Sequence, residues 1–308
     1  MATLTDYLKL HFIVFLWGFT AILGLLISIP AVEMVFYRTL LAAIGIGVVI
    51  LIAGGSFRVT GRDALRLTLI GFIVCLHWLS FFASARVSNA SVSLVGFATN
   101  SLWAALLEPW FNGRQVKNFE LVLGLLVLTG LYIIFSFNFT YHLGLLLGIV
   151  SGFTAALFSV LNAKLVRRIE PNTITFYEMV GAFVATALVL PVYKNTWAIN
   201  STLNLTPVSL DWLYIALLAW ACSVYAYTTA IHLMKKLSVF FIQLTLNLEP
   251  VYGIIMAVII FGETEKMGLN FYAGTLIILI AVMAYPKLKS RFEKKPATGV
   301  SPPSKSNR

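Results

Sequence analysis

The sequence predicts an all-α membrane protein: ten transmembrane helices in two inverted five-helix repeats, with both termini cytoplasmic. Three observations carry that expectation. The 308-residue chain is 59% hydrophobic and 11% charged, whereas soluble domains average about 25% charged. Ten apolar runs, at 10–28, 33–53, 66–85, 91–110, 119–136, 143–163, 174–193, 212–232, 238–260 and 269–286, each approach the roughly 20 residues a helix needs to cross hydrocarbon. Of the 22 Lys and Arg, 18 fall in alternate connections and termini, the asymmetry that places those segments on the cytoplasmic side.

Taken in order, the first run begins near the N-terminus, yet no small-residue cleavage site follows it and nine further runs do. It reads as a retained helix rather than a signal peptide. It carries Trp17, Gly18 and Thr20. The second run holds Arg38 about five residues in, roughly 7 Å at 1.5 Å per residue, a depth from which the side chain is expected to snorkel to the interface. The third contains His77-Trp78 and the fourth Asn100, Trp103 and Glu108-Pro109. The sixth spaces Gly144, Gly148 and Gly152 four apart, a small-residue face for close helix packing or a rocking interface, and carries Thr154. Glu178 lies in the seventh, Cys222, Tyr225 and Tyr227 in the eighth, and Asn247, Glu249, Pro250 and Tyr252 in the ninth. The tenth ends in the basic tail 287–308, whose polar, Pro- and Ser-containing composition reads as disorder.

The net charge of +10 therefore serves topology and contact with anionic lipid rather than nucleic acid. Cys75 and Cys222 both lie inside apolar runs, which excludes a disulfide framework or metal-ligand spacing. No metal and no cofactor are expected. Neither H-E-x-x-H nor G-x-S-x-G occurs, which argues against a membrane-embedded enzyme. Ten spans with no lysine at a helix centre argue against a retinal receptor. A passive channel or facilitator stays open.

An internal repeat organises the chain. Gly18-Phe19-Thr20-Ala21 returns as Gly152-Phe153-Thr154-Ala155, and Phe36-Tyr37-Arg38 as Phe176-Tyr177-Glu178. Later the register is ambiguous between matching Leu107-Glu108-Pro109 to Leu248-Glu249-Pro250 and matching the ends at Gly113 and Gly262. The second keeps helix ends together and pairs Asn100 with Glu249 and Trp78 with Tyr227. A unit of five helices is odd, so the second copy enters the membrane from the opposite side, an architecture that puts a binding site near the midplane between the halves. The units are expected at 1–137 and 138–286.

The Trp17-Gly18 opening, Arg38, Leu248-Glu249-Pro250 and the Gly262-Glu263 closing resemble the EamA-type drug/metabolite transporter superfamily, over residues 10–286. The resemblance implies a secondary carrier of small metabolites, often an exporter of amino acids or related compounds, with a cavity lined mainly by spans 1, 3, 4, 6, 8 and 9. The first copy departs from the family pattern at Asn112-Gly113-Arg114 and Asn100-Ser101, which leaves the substrate open.

Depth ranks the candidate residues, because a polar group at the bilayer centre by default faces a cavity or a partner. Glu249, His77, Asn100 and Asn247 are mid-span. Pro250 has no N–H, so the Leu246 carbonyl loses its helical partner and must find another. Trp17, Trp78, Trp103, Tyr227 and Tyr252 sit too deep for an interfacial belt and are candidate liners. Thr20 and Thr154 either touch substrate or bond their own helix carbonyls. Glu249 and His77 are the coupling candidates, each with the alternative of a satisfied structural hydrogen bond. The expectation is a transporter working by alternating access in the plasma (inner) membrane, a monomer or homodimer whose partners are a small-molecule substrate and the bilayer.

Overall fold

A computed structural model describes residues 2–113, 115–135, 141–262 and 268–293. Among the described residues the regular structure is all helical, with short connections between helices. The helices are α1 (Leu4–Gly18), α2 (Thr20–Leu26), α3 (Ala31–Ile52), α4 (Gly61–Val87), α5 (Ala90–Phe97), α6 (Asn100–Asn112) and α7 (Asn118–Phe135) in the first half. The second half contributes α8 (His142–Leu165), α9 (Pro171–Thr196), α10 (Ser209–Ala216), α11 (Ala226–Leu233), α12 (Val239–Leu246), α13 (Glu249–Phe261) and α14 (Leu269–Glu293). Between α10 and α11 the chain stays helical but widens to π pitch over Leu217–Tyr225.

The starts and stops follow local chemistry. Thr3 and Asp6 form a capping box on α1, the Thr3 N–H donating to Asp6 Oδ2 at 2.8 Å. Asn89 and Ser238 cap α5 and α12 by accepting N–H bonds from Val92 and Phe241, satisfying donors that a helix leaves open at its first turn. Gly113 and Gly262, the paired ends expected from the repeat, stop α6 and α13 at φ +64° and +58°, values that glycine adopts without strain. The tenth helix does not end with its apolar run: α14 continues past 286 to Glu293, so part of the tail expected to be disordered is helical, and 294–308 lies outside the described residues.

Eight segments among the described residues are long and apolar enough to cross a membrane: 4–26, 31–52, 61–87, 90–111, 142–165, 171–196, 209–233 and 239–261. Shorter apolar stretches occupy 118–127 and 269–285. Faces are inverted relative to a soluble protein. On α4, Leu65, Leu69, Phe72 and Leu76 follow helical spacing and are exposed, while Asp63, Leu67, Ile70, Val74, Trp78 and Ser84 on the other side are buried. An apolar stripe of this size is stable only against lipid.

The halves interleave. α4 packs on α8 and α9, α3 on α9, and α5 on α8, while α7 and α14 pack together. The glycine face of α8 serves the contact with α5: a Cβ at Gly96 would stand 2.8 Å from Gly148 Cα, closer than atoms approach, so both positions require glycine. Ties across the halves hold the two ends. At the basic-loop end Asp63 receives both Nη groups of Arg168 (2.5 and 2.6 Å), and Lys236 reaches both Asp6 oxygens at 2.9 Å. Glu108, beside Pro109, accepts from the Phe240 N–H at 2.9 Å, and Lys164 donates to the Phe111 carbonyl. At the far end Ser28 donates to Asp211 through its N–H (2.8 Å) and its hydroxyl (2.5 Å).

Candidate functional site

Two helix breaks create the site. The segment 90–111 is interrupted between Phe97 and Asn100, and the segment 239–261 between Leu246 and Glu249. The breaks occupy the same place in the two repeats, in the register that pairs Asn100 with Glu249. In the segment 239–261 the sequence reason is Pro250: it falls in the first turn of α13, where a missing N–H is tolerated, so the chain restarts a helix instead of kinking one. Breaks at membrane depth are stable only where protein or water covers the freed backbone.

α1 reaches the second break through Gly18, where a Cβ would stand 3.0 Å from Tyr252 Cβ and 3.3 Å from the Glu249 carbonyl oxygen. That close approach brings Trp17, Thr20 and Glu249 to one cavity, together with Arg38, His77, Trp78, Tyr227 and Gln243. About 60 Å³ of it is open to the centre of a water molecule. The walls between these polar groups are aromatic and aliphatic: Phe81, Phe97, Phe158, Ile231, Ile242 and Leu246. The lining comes from α1, α2, α3, α4, α5, α8, α11, α12, α13 and the π stretch.

Arg38 corrects the sequence reading. It does not snorkel; it is 2% exposed. Its Nε donates to Ser223 Oγ at 2.9 Å, and Ser223 in turn donates to the Leu218 carbonyl at 2.8 Å, a bond that spans five residues and belongs to the π stretch. The guanidinium carbon lies 4.0 Å from the Trp78 ring centroid and 5.5 Å from that of Phe82. No described carboxylate comes within ion-pair distance. The widened turn thus faces α3 with the one hydroxyl that holds Arg38, and it also presents the Cys222 carbonyl to the Trp17 indole N–H at 2.9 Å. π-helical turns are often found at such sites.

The repeat equivalents of Arg38 and Trp78 form a second pair. Tyr227 donates its hydroxyl to Glu178 Oε2 at 2.7 Å, and Asn162 Nδ2 donates to the same oxygen at 3.1 Å. Trp78 and Tyr227 touch edge to face, with centroids 6.5 Å apart. The two pairs meet through their rings, the Trp78 that carries Arg38 and the Tyr227 that holds Glu178.

His77 is tethered across the halves: its Nδ1 lies 3.0 Å from the Ser151 carbonyl and 2.8 Å from Ser151 Oγ, and its ring packs between Phe97 and Phe158. Glu249 is 3% exposed, and none of the described residues hydrogen-bonds its carboxylate. Gln243 Nε2 donates to Ser159 Oγ at 2.6 Å, leaving its own Oε1 unpaired.

Of the eleven residues the sequence nominated, Trp17, Thr20, His77, Trp78, Tyr227 and Glu249 line the cavity. The other five sit behind it. Asn247 donates to Ser101 Oγ at 2.7 Å and ties the two breaks together. Asn100 is fully buried with both amide atoms unpaired, and the Trp103 indole N–H is unpaired while its ring stacks edgewise on Phe153 at 5.3 Å. Tyr252 packs on Phe15 at 5.6 Å. Thr154 donates to the Val150 carbonyl of its own helix at 2.8 Å, and Thr20, at the start of α2, donates to the Trp17 carbonyl near the end of α1 at 2.7 Å. The sequence reading did not nominate Asn162, Ser159 or Gln243. Gln243 and Asn162 lie nearer the ends of their apolar runs than Asn100 does, so the depth criterion that nominated Asn100 passes over them.

Comparison with known proteins agrees with this geometry. The model of the EamA-like transporter family matches twice, over residues 7–136 and 142–285, once in each half. A comparison with curated proteins finds no match. A protein of solved crystal structure shares the fold at a TM-score of 0.69 and 15% identity, the alignment covering 96% of this chain and all of that one. With the family matched across nearly the whole sequence and two broken spans meeting at one cavity, the chain is a membrane protein that belongs to the EamA-like transporter family.

Proposed function

We propose that the chain is a secondary transporter that moves a small metabolite outward by alternating access, with the cavity between its halves as the substrate site. In this reading α7 and α14 also cross the bilayer, giving ten spans in two inverted units, 1–137 and 138–286. Both termini then lie in the cytoplasm of a cell whose inner membrane holds the protein, as a monomer or homodimer. The observation that carries the reading is the cavity itself: a charged, mid-membrane chamber built from both repeats, with Arg38 from α3 and Glu249 from α13 on its wall. Buried ionisable groups in a membrane are costly, and facing a substrate path is what makes them tolerable.

Two measurements test it. Metabolites secreted by cells with and without the protein identify the cargo. Counterflow in reconstituted vesicles then decides the mechanism: saturable flux accelerated by unlabelled substrate on the far side is expected of a carrier. Unsaturable flux without counterflow would replace the carrier by a passive channel.

A further inference from the structure

Arg38 is a permanent positive charge inside the membrane. A guanidinium does not lose its proton in proteins, and a buried charge is stable only when paired. The chain supplies Arg38 with neutral company alone. Ser223 takes its Nε, and Trp78 and Phe82 take its faces. The other four N–H donors of the fork have no partner among the described residues, and the residue lines the cavity.

The two carboxylates that might neutralise it are placed otherwise. Glu178, its repeat equivalent, is held by Tyr227 and Asn162. Glu249 borders the same cavity, yet no ion pair joins it to Arg38. The missing counter-charge is therefore one that arrives from outside the chain, and the donors left over form the planar fork that accepts a carboxylate through two parallel bonds.

We propose that Arg38 binds a carboxylate of the transported molecule, so that the cargo is a small organic acid or another compound carrying a free carboxylate, seated with its anionic end against α3. The inference names the substrate class of the site proposed above and rests on that reading. The Phe81, Phe97 and Phe158 rings on the cavity wall suit an apolar remainder beside the carboxylate.

The test uses the full chain in lipid nanodiscs, with acetate, lactate and pyruvate as probes against acetamide, lactamide and pyruvamide at constant ionic strength in sodium chloride. The expected result is a saturable rise in melting temperature with the carboxylates and none with the matched amides. Arg38→Gln should weaken carboxylate protection by about 10- to 100-fold, the loss of a charge-assisted contact, and Arg38→Lys, which keeps the charge but not the fork, should fall between. Equal protection by the amides, protection by none of the three carboxylates, or unchanged protection in Arg38→Gln overturns the proposal. Should Arg38→Gln fail to fold, the carboxylate-against-amide comparison on the unaltered chain decides alone. Vesicle flux of labelled pyruvate separates the two readings. Binding without flux removes transport and keeps the Arg38 site; flux of neutral solutes that Arg38→Gln leaves intact does the reverse.

Discussion

Replacing Tyr227 by Phe deletes one oxygen atom at the centre of the second-half pair. The ring remains, with its contacts to Trp78 at 6.5 Å and Phe158 at 5.6 Å, so the change is one of hydrogen bonding rather than volume. Glu178 is fully buried; it loses its 2.7 Å donor and keeps Asn162 at 3.1 Å, while its other oxygen is already without a partner. Leaving a buried acceptor short of a donor costs about 1–3 kcal/mol. At roughly 2–4 °C per kcal/mol for a chain of a few hundred residues, the melting temperature in a fixed detergent or nanodisc should fall by about 2–12 °C. A double-mutant cycle with Glu178→Gln isolates the pair and should show a coupling of about 0.5–3 kcal/mol. Additive losses, or a Tyr227→Phe chain that melts with the wild type, would refute the assignment of Tyr227 as the donor that holds Glu178.

Three further outcomes are expected. Glu249→Gln keeps the shape of the side chain and removes its proton exchange; it should preserve folding and substrate counterflow in vesicles but abolish accumulation driven by a pH gradient, and gradient-driven uptake equal to wild type would remove Glu249 from coupling. Gly148→Leu should drive α8 away from α5, since a Cβ there already stands 3.0 Å from Gly96 Cα. Overpacking of this kind costs about 1–3 kcal/mol, read as a lower melting temperature or loss of monodisperse protein, and an unchanged chain would show that the two helices do not meet there. For topology, a single cysteine at Asn200 should react with an impermeant reagent added to intact cells and one at Asn172 should not; reaction at Asn172 would invert or break the ten-span arrangement.

Only the structure shows the break between Phe97 and Asn100; the sequence by itself determined the helical membrane fold, its division into repeats and the proline at the second break. These depend on features local in the chain: apolar run length, Gly113 and Gly262 at paired ends, and a proline after Glu249. Depth along a span is equally local, and it found Glu249 and His77. What only the tertiary structure decided is which way each polar residue faces. A helix that is apolar around its whole circumference gives no stripe to orient it, so Asn100 and Glu249 rank alike by depth while only Glu249 reaches the cavity. Arg38 shows the same limit from the other side. Five residues from a helix end, it reads as a snorkelling charge; its burial follows from the neighbours that α3 meets, Trp78 on α4 and Ser223 turned toward it by the π-helical stretch, 185 residues away in the chain. Helix rotation and the partners across the interface are set by packing between the two halves, and that packing is written in no single segment.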